Sequence, residues 1–365
     1  MLGKYLVFSI ALLLLISACR KSTEPLKMHE YPRLLEWTAD TLFYDGSQSR
    51  MESIWGSSVK NVYTCGHSSG SLGQLWNYDG ENWHDIDLRH ISSLTLRIGL
   101  DGEIFGFGED DIWIVGWLYF ASSPTVPQFW SDSSLILHYN GTNWKQEGLK
   151  RKPHGLLSIW GSSRNEIWAG GVKGSFYRYN GSNWQTYDLN LPPNDDLDEE
   201  NGYLIRHISG NQSGEVYLDA RRILKNLTDG SILYTYKNNT WTIFDSTRFL
   251  YKSIHDLWVS PAGNLYVLSD KVYRYNGLSW TEIFDMGGYC LKGTRDDNIF
   301  LTSRNHMKEG LLYHYNGKDW YRIKEVGGNM WYWDLWTDGK EVFVVGETGE
   351  SGGSGRISSV VWHGK

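Results

Sequence analysis

A single unit recurs seven times along the chain, and this repetition limits the fold more than any other feature, because a short repeat buries its apolar face only against its own copies. The unit is clearest at Ile159-Trp160-Gly161-Ser162-Ser163, Ile167-Trp168, Tyr179-Asn180-Gly181 and Trp184, with a close copy at Ile54-Trp55-Gly56-Ser57-Ser58, Val62-Tyr63, Tyr78-Asp79-Gly80 and Trp83. An aliphatic–aromatic pair marks the seven copies at Val62-Tyr63, Ile112-Trp113, Ile167-Trp168, Val216-Tyr217, Leu265-Tyr266, Ile299-Phe300 and Val342-Phe343. A small residue follows four positions after each aliphatic, at Gly66, Gly116, Gly171, Ala220, Ser269, Ser303 and Gly346. Small residues there suit a chain leaving a strand at a tight bend.

Each copy then reaches an aromatic and a turn dipeptide, as in Tyr139-Asn140-Gly141, Tyr275-Asn276-Gly277 and Tyr315-Asn316-Gly317. In six copies a tryptophan stands five residues after the tyrosine, at Trp83, Trp144, Trp184, Trp241, Trp280 and Trp320. Asn-Gly or Asp-Gly between aromatic-rich runs is a strong hairpin signal, because these residues accept the positive φ that the turn requires. Each repeat therefore reads as a meander of four short strands, A to D. The seventh copy stops at Lys365 before its fourth strand, while Leu35-Glu36-Trp37-Thr38-Ala39-Asp40 resembles a D strand. Pairing that segment with the last repeat closes a ring and removes two open sheet edges. The predicted fold is an all-β, seven-bladed β-propeller of four-stranded antiparallel blades over residues 34–365, its last blade completed by the strand around Trp37.

The repeats resemble those of the Trp- and Gly-rich propeller lipoproteins of Bacteroidota and related bacteria, which read Ile-Trp-Gly-Ser-Ser, Asp-Val-Tyr and Tyr-Asp-Gly-x-x-Trp. The resemblance covers nearly the whole chain beyond its leader and speaks for the fold rather than for an activity. The leader itself has a cation at Lys4, an apolar run from Tyr5 to Ile16 and small residues at Ser17 and Ala18, the layout of a secretory signal. That run is about half the roughly 20 residues a spanning helix needs. Leu15-Ile16-Ser17-Ala18-Cys19 resembles the bacterial lipobox, which implies cleavage after residue 18 and lipid attachment at Cys19. Several acyl chains on one residue hold a protein at a membrane without a spanning helix. Arg20, where an aspartate would imply inner-membrane retention, leans the expectation toward the outer membrane, with the periplasmic or surface side left open. Residues 19–33 read as a flexible tether.

Loss of Lys4 with the leader takes the formal charge from −7 to −8, and a mildly acidic body argues against nucleic acid, whose binders concentrate Lys and Arg. Beyond Cys19 only Cys65 and Cys290 remain, two blades apart around the ring, so they read as two buried small hydrophobes and not as a disulfide. No cofactor or metal site is predicted: the histidines form no His-Glu-x-x-His motif, and His138 and His314 read as blade-surface residues. The glycine-rich run from Gly346 to Gly355 lacks the Gly-Lys-Ser/Thr ending of a phosphate loop. The acidic run Asp195, Asp196, Asp198, Glu199 and Glu200 lacks the ligand spacing of a calcium loop and reads as a solvated, mobile link.

Function is expected where the repeats differ. In an antiparallel meander the A–B and C–D turns lie at one end, and the B–C turns and D–A links at the other. The A–B spacing holds at eight residues in six copies, from Ile54–Val62 to Leu291–Ile299, whereas long inserts fall in B–C and D–A. One face is regular and the other elaborated, and inserts gathered on one face often mark a binding surface. The longest B–C insert carries Trp117, Tyr119, Phe120, Phe129 and Trp130, which either contact a sugar ring or protein partner or form a satellite core under their own loop. The expected function is a non-catalytic, envelope-anchored scaffold with a monomeric body that presents this face to a protein or glycan. The alternatives are a propeller-based glycan hydrolase or lyase, or an assembly factor for an envelope complex. Asp79-Gly80-Glu81-Asn82-Trp83 departs from the Ser-x-Asp-x-Gly-x-x-Trp box of sialidase propellers, which removes the ground for borrowing a catalytic set.

Overall fold

A computed structural model describes residues 31–42, 49–68, 73–88, 91, 97–120, 130–149, 154–198, 202–225, 230–326, 330–349 and 358–365. Cys19, Phe129, Glu199, Glu200 and most of the glycine run lie outside these residues. The described chain forms seven four-stranded antiparallel blades in a ring, with no α-helix among the described residues. Blade 1 runs Ser49–Ser58, Asn61–Ser68, Gly73–Tyr78 and Trp83–Asp85, blade 3 runs Leu156–Ser163, Glu166–Gly171, Phe176–Tyr179 and Trp184–Thr186, and blade 4 runs Tyr203–Gly210, Val216–Arg222, Gly230–Lys237 and Thr240–Asp245. Blade 5 runs Asp256–Val259, Leu265–Leu268, Val272–Tyr275 and Trp280–Phe284, and blade 6 runs Cys290–Arg295, Asn298–Arg304, Gly310–Tyr315 and Trp320–Val326. Blade 2 splits its innermost strand into Arg97–Gly99 and Ile104–Gly108, both paired with Asp111–Phe120.

Blade 7 is the closure. Its strands Met330–Thr337, Val342–Thr348 and Ser358–Gly364 are completed by Trp37–Leu42, antiparallel from Trp37 opposite Gly364 to Leu42 opposite Ser359. Reciprocal backbone bonds between Glu36 and Lys365, at 2.9 and 3.0 Å, extend the ladder to the end of the chain. Ahead of it, Tyr31–Leu34 form a 3-10 turn whose Arg33 bonds Asp319 at 3.0 Å and covers the ring of Tyr321.

The sequence signatures acquire physical causes here. In five blades the turn Asp or Asn accepts two backbone N–H groups, as Asp79 Oδ1 does from Glu81 and Asn82, both at 2.8 Å, while Gly80 takes a φ of +101°. That turn sets Tyr78 opposite Trp83, rings 5.3 Å apart, and the same pairing recurs through Tyr315 and Trp320 at 5.0 Å. The glycine of Ile-Trp-Gly lies under an aromatic ring of the preceding blade: a Cβ on Gly161 would come within 2.7 Å of Phe107, and one on Gly56 within 3.0 Å of Trp336.

The small residue after the B-strand aliphatic marks the strand's end in blades 3 and 5, at Gly171 and Ser269, but not in blades 1 and 7. There it lies within the strand, opposite a β-bulge in strand A, where the inner strand's carbonyl presses on it: a Cβ on Gly66 would meet Arg50 O at 2.0 Å, and one on Gly346 would meet Trp331 O at 2.0 Å.

Apolar side chains collect between blades, in seven clusters that each join neighbouring blades among the described residues. The cluster containing Leu42, Met51, Ile54, Phe343 and Val361 joins blade 7 to blade 1, so the ring is closed by packing as well as by hydrogen bonds. Cys65 and Cys290 are buried and unbridged. His314 is not a surface residue: it is fully buried and bonds Asn298 Oδ1 at 3.0 Å, and His138 stacks on Trp113 at 3.7 Å. As far as Asp198 the acidic link is held rather than loose, since Asp198 N bonds Ile223 O at 2.8 Å and Lys225 N bonds Asp196 O at 2.9 Å.

Candidate functional site

The channel mouth is built by two consecutive positions of each inner strand, the two residues that precede the aliphatic anchor. Strand A enters from the D–A link, so these positions lie in the half of the channel nearer the elaborated face. In blades 1, 3, 4 and 7 the first of the two is the bulged residue, skipped by the ladder: Glu52, Leu157, Arg206 and Trp333. A bulge re-aims a side chain, and all four line one cavity of about 190 Å³. His255 and Tyr289 supply the same position in blades 5 and 6, so every blade reaches the cavity, Gly102 doing so for blade 2.

The second position forms a belt that ties each blade to the next. Ser53 Oγ accepts from Ile104 N at 3.2 Å, Glu103 Oε2 from Ile159 N at 3.2 Å and Asp256 Oδ2 from Leu291 N at 2.7 Å. Ser158 Oγ donates to Ile205 O at 3.1 Å, and Asp334 Oδ2 accepts from Ile54 N at 3.0 Å, carrying the belt across the closure. Asp334 also takes Lys292 Nζ at 2.6 Å and the Cys290 thiol at 3.2 Å. In blade 4 His207 turns to Asp219 at 2.8 Å, and Ser209 Oγ makes the link to Val259 N instead, at 3.0 Å.

Charge is unevenly spread around the mouth. Blades 1 and 2 contribute Glu52, Asp101 and Glu103, blade 4 contributes Arg206, Arg221 and His207, and blades 5 to 7 mix His255 and Lys292 with Asp256 and Asp334. Burial, reinforced by Asp334 and Asp256 against the opposing pull of Lys292, pushes the Glu103 carboxyl up to about 7. Burial also raises Asp256 and Glu52. On the opposite wall enclosure by the ring and then Arg221 lower Arg206, which stays open to water in the recess, and burial and then Arg221 lower His255, so His255 is a neutral imidazole near pH 7. His67 is raised, first by its hydrogen bond to Asp101. Chemically the mouth offers an arginine pair, a neutral imidazole and a carboxyl poised near neutrality. No group of three His, Cys, Asp or Glu side chains among the described residues is arranged to hold a metal.

Beside the mouth Trp331 and Trp333 stack at 5.5 Å with planes 6° apart, and Tyr289 meets both. Guanidinium groups already cover them, Arg304 lying 3.7 Å from the Trp331 ring centre and Arg50 4.4 Å from that of Trp333. Arg50 in turn bonds Glu52 at 2.9 Å.

The aromatic insert predicted as the contact surface is largely a lengthened B–C hairpin of blade 2. Its strands run Asp111–Phe120 and Trp130–Tyr139, pairing Phe120 with Trp130 and Tyr119 with Ser131, with the tip beyond the described residues. Trp117 lies on the same strand, but its ring packs on Gly155, where a Cβ would come within 2.1 Å of it, and it does not line the cavity. Sequence reasoning missed the mouth residues because it followed insert length. The signal that finds them is the pair ahead of each anchor, which reads Glu-Ser, Gly-Glu, Leu-Ser, Arg-His, His-Asp, Tyr-Cys and Trp-Asp while the residues around it repeat.

No protein-family profile matches the chain, and no curated protein sequence does. Solved structures do resemble it. A structure of YCF48 bound to D1 peptide superposes with a TM-score of 0.57 over 90% of this chain and 96% of that one, at 16% identity. A polysaccharide lyase, an ulvan lyase bound to a saccharide, gives 0.55 over 88% and 95% at 8% identity. A virginiamycin B lyase from Staphylococcus aureus with quinupristin gives 0.57 over 89% and 99% at 11% identity. At these identities the likeness shows a shared propeller fold and nothing finer.

Proposed function

We propose that the chain is an envelope-anchored binding scaffold that receives a glycan or protein on its elaborated face, with the mouth of the channel as the point of contact. The observation that carries this reading is the cavity itself: seven blades direct side chains into one polar recess, four of them through bulges, at the end of the ring where the inserts gather. Rigid concave sites with convergent polar groups are where proteins hold small ligands and ligand ends. The lipobox-like leader and the resemblance to propeller lipoproteins support anchoring at Cys19, in the outer membrane. The reading is tested by capture on a glycan panel and from envelope extract with the Leu157→Trp variant, whose indole fills the cavity. Capture is expected to fall at least tenfold at unchanged melting temperature; undiminished capture would move the site off the mouth.

A second reading, a glycan hydrolase or lyase, is favoured by Glu103, whose carboxyl near pH 7 has the poise of a general acid or base. Release of new reducing or unsaturated ends from a panel glycan, abolished in Glu103→Gln, would establish it in place of simple binding.

A further inference from the structure

We infer that Arg206 and Arg221 form an oxyanion receptor in the mouth, and that the ligand they take is an acidic sugar residue, its carboxylate or sulfate on the arginines and its hydroxyls on the opposite wall. This rests on the mouth being the binding site.

Arg206 is the bulged residue between Ile205 and His207, thrown into the cavity by the break in register. Its guanidinium makes no hydrogen bond or ion pair with a described residue, although carboxylates stand nearby. Those carboxylates are engaged elsewhere. Asp219 holds His207 at 2.8 Å and Ser231 at 3.3 Å, Glu52 holds Arg50 at 2.9 Å, and Asp256 accepts from Leu257 N at 2.8 Å and Leu291 N at 2.7 Å. Enclosure by the ring and then the like charge of Arg221 disfavour its charged form, while the side chain itself stays open to water in the recess. Arg206 is thus an accessible cation with no counter-ion of its own, set by its bulge in a polar recess. An anion docking on it would relieve the repulsion from Arg221, and the planar fork of arginine fits carboxylate and sulfate oxygens in pairs.

The rest of the lining selects the class. The space equals roughly six water volumes at about 30 Å³ each, which suits one sugar ring. Leu157 and Cys290 are the aliphatic and thiol surfaces in a lining that is otherwise polar or aromatic, so an apolar peptide side chain finds little to pack on. Glu103 and His255 can each donate or accept, as a ring hydroxyl can. The indole faces beside the mouth are covered by Arg304 and Arg50, so recognition here runs through hydrogen bonds and charge rather than stacking.

The test is calorimetric titration of the full chain in mild detergent with glucuronate oligomers, a sulfated oligosaccharide, the neutral glucose oligomer, sodium sulfate and a tripeptide with a free carboxylate. Acidic sugars are expected to bind at least tenfold more tightly than the neutral oligomer. Arg206→Gln should abolish that preference, and Arg206→Lys should restore part of it. Equal binding of acidic and neutral sugars, or a preference unmoved in Arg206→Gln, would overturn the oxyanion receptor while leaving the mouth as a site. Tighter binding of the tripeptide, or of sulfate alone, would overturn the sugar. Binding of every ligand undiminished in Leu157→Trp would instead overturn the mouth itself.

Discussion

Glu103 shows how much the ring asks of single side chains. It is buried at the cavity wall with Asp334 and Asp256 as like-charged neighbours, so its ionised form is the disfavoured one even though it accepts a backbone N–H from the next blade. Its folded pKa of about 7 lies above the ordinary 4.5 of a glutamate, so its contribution to stability is whole below about pH 4.5 and is lost as the pH rises through about 7. Glu103→Gln, which keeps the acceptor and never ionises, should therefore melt progressively higher than the wild type between pH 5 and pH 8. A difference that stays constant across that range would show that Glu103 is not the group being titrated. The mouth residues were legible in the sequence only at this scale, as variable polar pairs beside fixed anchors. Nothing in the sequence says that a bulge will turn Arg206 or Trp333 inward, because a one-residue slip in register is set by the opposite strand. The aromatic insert drew attention for a sound reason, yet Trp117 is used in packing on Gly155.

At the scale of the element, bulge and small residue belong together. Strand A of blade 7 skips Trp333, and the strand beside it needs Gly346 because Trp331 O occupies the place of a Cβ. Gly346→Val should cost at least about 2 kcal/mol in urea unfolding, since the inner strand must move or the bulge must be lost. Ala220→Gly, at the corresponding position of blade 4 where a Cβ is already accommodated, should cost no more than about 1 kcal/mol. Both blades carry the bulge, so equal costs at the two sites would show that crowding by Trp331 O is not what requires glycine at 346. The turn and strand order of each blade were readable in advance, because Tyr-Asn-Gly-x-x-Trp carries its own hydrogen bonds and positive φ. The meaning of the small residue was not, since it depends on a carbonyl that no local pattern reveals.

For the whole molecule everything depends on closure. Seven interblade clusters and a belt of polar links each need a neighbour on both sides, and blade 7 has its outer strand only because Trp37–Leu42 returns to it. The ring was legible in the sequence as a missing fourth strand at one end and a spare one at the other; the cavity, which exists only once seven inner strands face one axis, was not. Closure is tested most directly by a cross-link. Counting from the hydrogen-bonded pair Glu36 and Lys365, Thr41 and Val360 form a non-hydrogen-bonded pair, the closely spaced kind that suits a disulfide. In a Cys19→Ser background, Thr41→Cys with Val360→Cys should oxidise within one chain and raise the melting temperature. Failure to cross-link, or cross-links only between chains, would contradict a ring closed by its own first strand.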